Sequence, residues 1–163
     1  MTKETRPDIR RTLLFLRRDD EVLLAMKKRG FGAGRWNGVG GKLEAGETVE
    51  DALVREAQEE IGVTPVSYNL VAENDYLQDA DTADPWHMYV YTYLCDRWEG
   101  KPKESEEMAP KWFSVKDIPY EEMWDGDQLW LPPVLSGRKV RGNYVFDHKD
   151  TLTSYNIEEV GKL

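Results

Sequence analysis

Three glutamates near the middle of the sequence are spaced so that they can act together. On a helix, Glu56, Glu59 and Glu60 fall within an arc of about 100°. Like charges three and four residues apart repel, and carboxylates in a last helical turn oppose the helix dipole. Converging carboxylates are the ligands that hard divalent ions such as Mg²⁺ or Mn²⁺ prefer. Two interpretations remain open, a metal site and a solvated acidic face, and the spacing slightly favours the metal site.

The segment before these glutamates has the opposite character. No acidic residue occurs between Glu21 and Glu44, and this window contains five cations and six glycines: Lys27, Lys28, Arg29, Arg35, Lys42, Gly30, Gly32, Gly34, Gly38, Gly40 and Gly41. Charge runs of this kind are usually solvated surface. The alternative is a loop that binds an anion beside a helix that binds a cation.

The surrounding pattern predicts the elements that position these residues. Thr48–Ile61 is expected to be a helix, because Thr48 and Asp51 form a capping box and Gly62 suits the C-terminal cap. A strand hairpin is expected at 10–17 and 21–27, with a short strand near Val39. Further strands are expected at 66–76, 87–98, 109–115, 139–146 and 152–156, and short helices at 117–123 and 127–135. This mixture predicts an α+β domain with a mixed sheet.

Composition excludes several classes of function. The 163 residues carry 22 Lys and Arg against 31 Asp and Glu, a net charge of −9, which disfavours binding of nucleic-acid polymers through bulk charge. The apolar runs are too short to span a bilayer, and the N-terminus does not resemble a secretory signal. Cys95, the single cysteine, fits a reducing cytoplasm. We expect one domain over 1–163, residues 1–8 being a disordered arm, that acts as a monomer.

The segment from Gly41 to Val63 resembles the Nudix box, G-x5-E-x7-R-E-U-x-E-E-x-G-U, in which U is a bulky aliphatic residue. The matching positions are Gly41, Glu47, Arg55, Glu56, Glu59, Glu60, Gly62 and Val63. Ala57 departs from the pattern because it is smaller than the usual U residue. Nine specified positions over 23 residues make a chance match very improbable, so the chain is identified from its sequence as a member of the Nudix hydrolase family.

The resemblance implies an α/β/α sandwich with a central mixed sheet and assigns roles within the box. Glu56, Glu59 and Glu60 are expected to bind Mg²⁺, or Mn²⁺ as the other suitable ion, with the Gly40 carbonyl and the more distant Glu107. Glu56 or Glu60 is the expected catalytic base, and the spacing does not distinguish them. The structural residues of the box are Gly41, Glu47, Arg55 and Gly62, with Arg55 pairing to Glu47.

Outside the box, the runs 26–38, 104–113 and 117–132 resemble MutT-type members that hydrolyse oxidised purine nucleoside triphosphates. This resemblance implies a set of substrate-binding residues: Thr12, Lys27, Phe31, Asn37, Gly40, Gly41, Trp124 and Asp127. Trp124 is expected to stack on the purine, and Asn37 and Asp127 to bind its edge. The implied reaction converts a triphosphate such as 8-oxo-dGTP to the monophosphate and pyrophosphate, which sanitises the nucleotide pool.

One departure affects the choice of base. Relatives of this type carry two adjacent aspartates after the tryptophan, and Gly126 stands at the first position here. Asp125 is a replacement only if the loop shifts by one residue. We therefore expect 8-oxo-dGTP to remain a substrate while the preference among oxidised purines changes.

Two other functions remain as alternatives. One is a Nudix hydrolase for another nucleoside diphosphate derivative, such as ADP-ribose or a dinucleoside polyphosphate. The other is a nucleotide-binding module without catalysis, which the intact box glutamates disfavour. Four further tryptophans are interpreted as core or sheet-packing residues: Trp86, Trp98, Trp112 and Trp130.

Overall fold

The computed structural model describes residues 9–79, 81 and 84–163, so the expected N-terminal arm lies outside the described residues. The strands are β1 (Ile9–Arg18), β2 (Glu21–Lys27), β3 (Trp36–Asn37), β4 (Thr64–Gln78), β5 (His87–Glu99), β6 (Met108–Ser114), β7 (Lys139–Phe146) and β8 (Leu152–Val160). The helices are α1 (Val49–Ile61) and α2 (Asp127–Leu135).

The strands form the mixed sheet that the sequence predicts. Their order is β3-β2-β1-β5-β4-β7-β8, and β6 pairs with β2. The pairs β1–β5 and β4–β7 are parallel, and the other pairs are antiparallel. The parallel β1–β5 pair brings Arg11 beside Val90, which places residues from distant parts of the chain on one face.

One helix covers each face of the sheet. Successive side chains of a strand point to opposite faces. Leu14 and Leu16 of β1 accordingly pack in the core cluster that contains Leu53 of α1. Phe15 packs in the cluster that contains Trp130 of α2. The expected α/β/α sandwich is therefore confirmed.

A gap between β1 and β2 accommodates the glycine-rich segment. These strands pair only beside their turn, at Arg17–Val22 and Arg18–Glu21. Toward the end of β2, at Ala25 and Met26, its neighbour is β3 and no longer β1. The short strand expected near Val39 is present slightly earlier in the chain. The strand is Trp36–Asn37, and Val39 makes an isolated bridge with Leu14.

The local signals of α1 have the expected form. Thr48 accepts a hydrogen bond from the Asp51 backbone, Asp51 caps Thr48 in return, and Gly62 ends the helix at φ 70°. By contrast, the helix expected over 117–123 is two short 3₁₀ turns, Val115–Asp117 and Tyr120–Glu122. Pro119 separates them, because a residue before proline disfavours the helical conformation. Neither helix among the described residues is long and apolar enough to cross a membrane.

Candidate active site

The glycine-rich segment lies directly against β1. The Thr12 N–H donates to the Gly41 carbonyl at 2.9 Å, and the Leu14 N–H donates to the Val39 carbonyl at 2.7 Å. A Cβ on Gly40 would lie 1.8 Å from the Thr12 carbonyl oxygen. A Cβ on Gly41 would lie 2.4 Å from a carboxylate oxygen of Glu56. Glycine at these two positions therefore lets the loop approach both β1 and the first of the three glutamates.

Arg55 connects this loop to the helix. Its Nε and Nη2 donate to the two carboxylate oxygens of Glu47 at 2.7 and 2.8 Å, and Nη2 also donates to the Lys42 carbonyl at 3.1 Å. This fork lowers the pKa of Glu47 to about 2. Nη1 donates to Glu56 at 2.9 Å and to Glu59 at 3.2 Å. Arg55 thus contacts two of the expected metal ligands as well as its expected partner.

Glu60 is a buried carboxyl in a charged environment. Its side chain is 5% exposed and accepts a hydrogen bond from the Gly40 N–H at 3.0 Å. Burial raises its pKa to about 8, and the charges of Glu56 and Glu107 add to that rise. Burial also raises the pKa of Glu56, although Arg55 opposes the shift. Two neighbouring carboxyls therefore resist ionisation until positive charge is supplied.

The other two expected ligands are more exposed. The Glu59 side chain is 60% exposed and pairs with Arg55. Glu107 lies 3.5 Å from Arg29, and its backbone carbonyl accepts a hydrogen bond from the Lys28 N–H of the glycine-rich segment at 2.8 Å. Among the described residues, no three acidic, histidine or cysteine side chains already converge in a metal-binding arrangement. The donors nevertheless fit a hard divalent ion, because they are all oxygens and because the charges of Glu56 and Glu107 add to the raised pKa of the buried Glu60.

An open cleft extends from Gly40, whose N–H is bonded to Glu60, to an aromatic region, and none of the four expected glutamate ligands is among its lining residues. It is lined by most of the expected substrate-binding residues: Thr12, Lys27, Phe31, Asn37, Gly40, Trp124 and Asp127. The remaining one, Gly41, lies against Glu56 and outside the lining. Asn37 accepts a hydrogen bond from the Gly38 N–H through its side-chain oxygen at 2.8 Å. Its amide NH₂ is therefore the group through which it can donate to a ligand.

Trp124 stands in a cluster of rings at the aromatic end. Phe31 stacks on it with centroids 5.2 Å apart and planes 25° apart. The Arg35 guanidinium lies 4.0 Å from its centroid. Phe146 meets it edge-on at 6.0 Å. A purine that stacks here would compete with Phe31 and Arg35 for the Trp124 ring.

Asp127, at the start of α2, is the second buried carboxyl. It is 4% exposed, and one oxygen accepts a hydrogen bond from the Trp130 indole N–H at 3.1 Å. The other oxygen has no hydrogen-bond partner among the described residues. Burial raises the pKa of Asp127 to about 7. Near neutral pH this group can therefore both donate and accept, as recognition of a purine edge requires.

Neither neighbour of Asp127 supplies a second carboxyl. Gly126 has φ 101°, and a Cβ there would lie 3.3 Å from the Tyr144 ring. The Asp125 carboxylate accepts a hydrogen bond from the Leu152 N–H at 3.1 Å, which fastens the loop to β8. The one-residue loop shift that would let Asp125 replace the missing aspartate is therefore not present.

Several cleft residues were not expected from the sequence. Trp86, interpreted as a packing residue, lines the cleft and meets Phe31 edge-on at 5.8 Å. The other unexpected lining residues are Arg11, Leu13, Tyr76, Met88, Val90, Met108 and Phe146, while Gly32, Arg35 and Gly38 come from the glycine-rich segment that was a candidate anion-binding loop. The alternation of Met88 and Val90 in β5 was the available signal that they share a face. Which face becomes the cleft depends on the strand pairing.

Comparison with known proteins identifies the family. The NUDIX domain profile matches residues 7–133, and the chain belongs to the Nudix family. An oxidized purine nucleoside triphosphate hydrolase from Mus musculus is 42% identical over 149 residues, covering 91% of this chain and 94% of the relative. One of the same name from Danio rerio is 38% identical over 154 residues, covering 93% and 96%.

A solved structure extends the similarity to three dimensions. The mutator MutT protein of Bacillus halodurans superposes with a TM-score of 0.81 at 26% identity, covering 92% of this chain and 97% of that one. The family is therefore supported by sequence and by fold over nearly the whole length.

Proposed function

We propose that the protein hydrolyses oxidised purine (deoxy)nucleoside triphosphates, such as 8-oxo-dGTP, to the monophosphate and pyrophosphate. In this reaction the oxygen of water bonds to a phosphorus of the triphosphate, and the phosphoanhydride bond to the leaving pyrophosphate breaks. Glu56 or Glu60 accepts the proton from water. The proposed cellular role is to remove damaged nucleotides from the pool.

The observation that carries this proposal is the continuity of the cleft. Its aromatic end contains Trp124 and the half-satisfied carboxyl of Asp127, which suit a purine. Its other end passes Gly40, whose N–H is bonded to Glu60, and Lys27. Burial and the charge of Arg11 lower the pKa of Lys27, and the charges of Glu60, Glu107 and Glu56 oppose that shift. One nucleotide can therefore place its base and its phosphates in chemically matched surroundings.

A divalent cation, proposed to be Mg²⁺ with Mn²⁺ as a substitute, would be held by Glu56, Glu59, Glu60, Glu107 and the Gly40 carbonyl. Such an ion neutralises phosphate charge and activates water. The chain's own part is to hold Glu60 in place through Gly40 and to hold the loop through Arg55 and Glu47. We also propose that the protein acts as a monomer in the cytoplasm.

The decisive experiment measures pyrophosphate release from a nucleotide panel with Mg²⁺ and with EDTA. The panel contains 8-oxo-dGTP, 2-hydroxy-dATP, dGTP and dATP, with ADP-ribose and a dinucleoside polyphosphate as the alternative class. We expect kcat/KM to be highest for an oxidised purine and activity to vanish in EDTA. Equal efficiency on 8-oxo-dGTP and dGTP would refute the sanitising role, and preference for ADP-ribose would establish the alternative.

A further inference from the structure

Arg11 is a cleft residue for which the proposed reaction gives no role so far. It belongs to β1 and lines the cleft, and its side chain is largely enclosed. Its Nη1 approaches the Met88 sulfur at 3.9 Å, and its guanidinium lies 5.9 Å from the Phe31 ring centroid. Within the described part of the chain, it has no carboxylate or carbonyl oxygen as a hydrogen-bond partner.

Such a side chain needs an oxygen-rich partner. A guanidinium carries five N–H donors in a planar fork, and a sulfur atom is a weak acceptor. Burial lowers the pKa of Arg11, while the charges of Glu56 and Glu60 oppose that shift. A cation that is partly removed from water and left without an oxygen partner lowers stability. Positions of this kind are expected where a ligand completes the hydrogen bonding.

The position of Arg11 indicates which part of a nucleotide it meets. On one side it contacts Phe31 and Met88, which line the aromatic part of the cleft. Its electrostatic neighbours are Glu56, Glu60 and Lys27, at the acidic end. A nucleotide whose base lies near Trp124 and whose reacting phosphates lie near Glu60 extends past Arg11, which lies between these two regions. The phosphate nearest the nucleoside is the α-phosphate.

We infer that Arg11 binds the α-phosphate of the substrate, and of the monophosphate product, through the planar fork of its guanidinium. This inference rests on the proposed function, since it takes the purine triphosphate as the ligand. Bidentate contacts between arginine and phosphate are strong and directional. Arg11 therefore adds to Lys27 a second protein cation on the phosphate side of the cleft.

The test compares a nucleoside with its monophosphate, because only the monophosphate has an α-phosphate. Binding of 8-oxo-dGMP and of 8-oxo-deoxyguanosine is measured by calorimetry in EDTA for the wild type, Arg11→Gln and Arg11→Lys. We expect Arg11→Gln to weaken 8-oxo-dGMP binding about 10- to 100-fold and to change nucleoside binding less than about twofold. Arg11→Lys should lie between, because it keeps the charge and loses the fork.

Arg10→Gln is the matched control. Arg10 is the preceding residue of the same strand, points to the opposite face, and donates to the Tyr91 hydroxyl at 3.2 Å. The Arg10→Gln variant should bind 8-oxo-dGMP and 8-oxo-deoxyguanosine as tightly as the wild type does. Thermal unfolding of each variant verifies that the fold is retained.

Each outcome bears on the inference separately from the proposed function. Equal loss of nucleoside and monophosphate binding in Arg11→Gln would overturn it in favour of a base or sugar contact. Unchanged monophosphate binding would overturn it as well. Both results leave the proposed function intact if the wild type still hydrolyses 8-oxo-dGTP. A wild type that binds neither ligand and does not hydrolyse the triphosphate would overturn both.

Discussion

Glu60 and Asp127 form an instructive pair, because Asp127 lines the aromatic end of the cleft and Glu60 is bonded to Gly40 at the other end. Both are carboxyls that are nearly inaccessible to solvent, and burial is the largest cause of the raised pKa of each. Glu60 is held by a backbone N–H and is influenced by Glu56, Glu107 and Lys27. Asp127 is held by the Trp130 indole, among aromatic rings.

The difference shows that burial alone does not assign a role to a carboxyl. The neighbours of Glu60 are themselves acidic, so a cation that arrives there is attracted by several groups and favours their ionised forms. Around Asp127 burial is the main cause of the raised pKa and the charge of Asp125 adds to it, which favours the protonated form as a hydrogen-bond donor. Similar desolvation is thus compatible with two different proposed roles, catalysis for Glu60 and recognition of the base for Asp127.

The largest expected effect comes from removing the charge at the acidic end. Glu60→Gln should lower kcat by about 10³-fold or more, because the amide can neither accept the proton nor hold the cation. Steady-state pyrophosphate release measures the effect, and circular dichroism verifies the fold. Glu50→Gln, on an exposed position of the same helix, is the matched control and should remain active. Full activity of Glu60→Gln would mean that the catalytic site has been misplaced.

The pH dependence of the free energy of unfolding should reveal the raised pKa of Asp127 at the aromatic end of the cleft. Its pKa is about 7 in the folded protein and 3.8 as the reference value, so the folded state retains a proton that the unfolded state releases between these values. The contribution of Asp127 to stability is therefore fully present below about pH 4, falls as the pH rises to about 7, and is constant above that.

Between about pH 4 and pH 7 the free energy of unfolding of the wild type should fall by up to about 4 kcal/mol more than that of Asp127→Asn, because the amide of this variant does not titrate. Urea unfolding of both proteins in EDTA, at intervals from pH 4 to 8, gives the free energies of unfolding. Parallel curves for the two proteins would show that Asp127 titrates normally.

The same substitution should also impair recognition. In Asp127→Asn the amide nitrogen can only donate and the amide oxygen can only accept, whereas either oxygen of the carboxyl can carry the proton. We expect kcat/KM for 8-oxo-dGTP to fall about 10- to 100-fold. Metal dependence should be unchanged, because Glu56 and Glu60 are untouched. Asp125→Asn is the comparison variant, since its carboxylate faces the Leu152 N–H. A larger loss in Asp125→Asn than in Asp127→Asn would contradict the assignment of the purine contact.

The smallest effect is expected for the residue that supports the acidic end. Arg55→Lys removes the fork to Glu47 while keeping the charge, and should lower the free energy of unfolding by about 1–2 kcal/mol. Urea unfolding at pH 7 measures this change. The Asp127 titration should be unaffected, because the hydrogen bonds of Arg55 go to Lys42 and to glutamates of the acidic end and not to residues around Asp127. A shift in that titration would show that the two ends are coupled.

The sequence predicts the acidic end better than the aromatic end, and the reason is contact range. Thr48, Asp51 and Gly62 define α1 through contacts only a few residues apart, which local spacing reveals. Arg11 and Met88 meet because β1 pairs in parallel with β5, a pairing that no local pattern encodes. Cleft residues contributed by that pairing could therefore not be foreseen.

Gly126 shows a similar limit. The sequence reveals that an aspartate is missing there, while only the structure shows that Tyr144 packs against the same position. The interpretation of Trp86 as a packing residue was incomplete for a related reason. Trp86 directly precedes β5. Its contact with Phe31 forms only because the loop before β3 folds back onto the start of β5.

The packing of Tyr144 against Gly126 also constrains how this lineage can change its substrates. A side chain at position 126 would be strained by the left-handed backbone conformation and would also lie against the Tyr144 ring. A second carboxyl at this position is therefore opposed by two separate effects. A smaller residue at 144 would relieve the contact with the ring and leave the backbone strain at 126 unchanged.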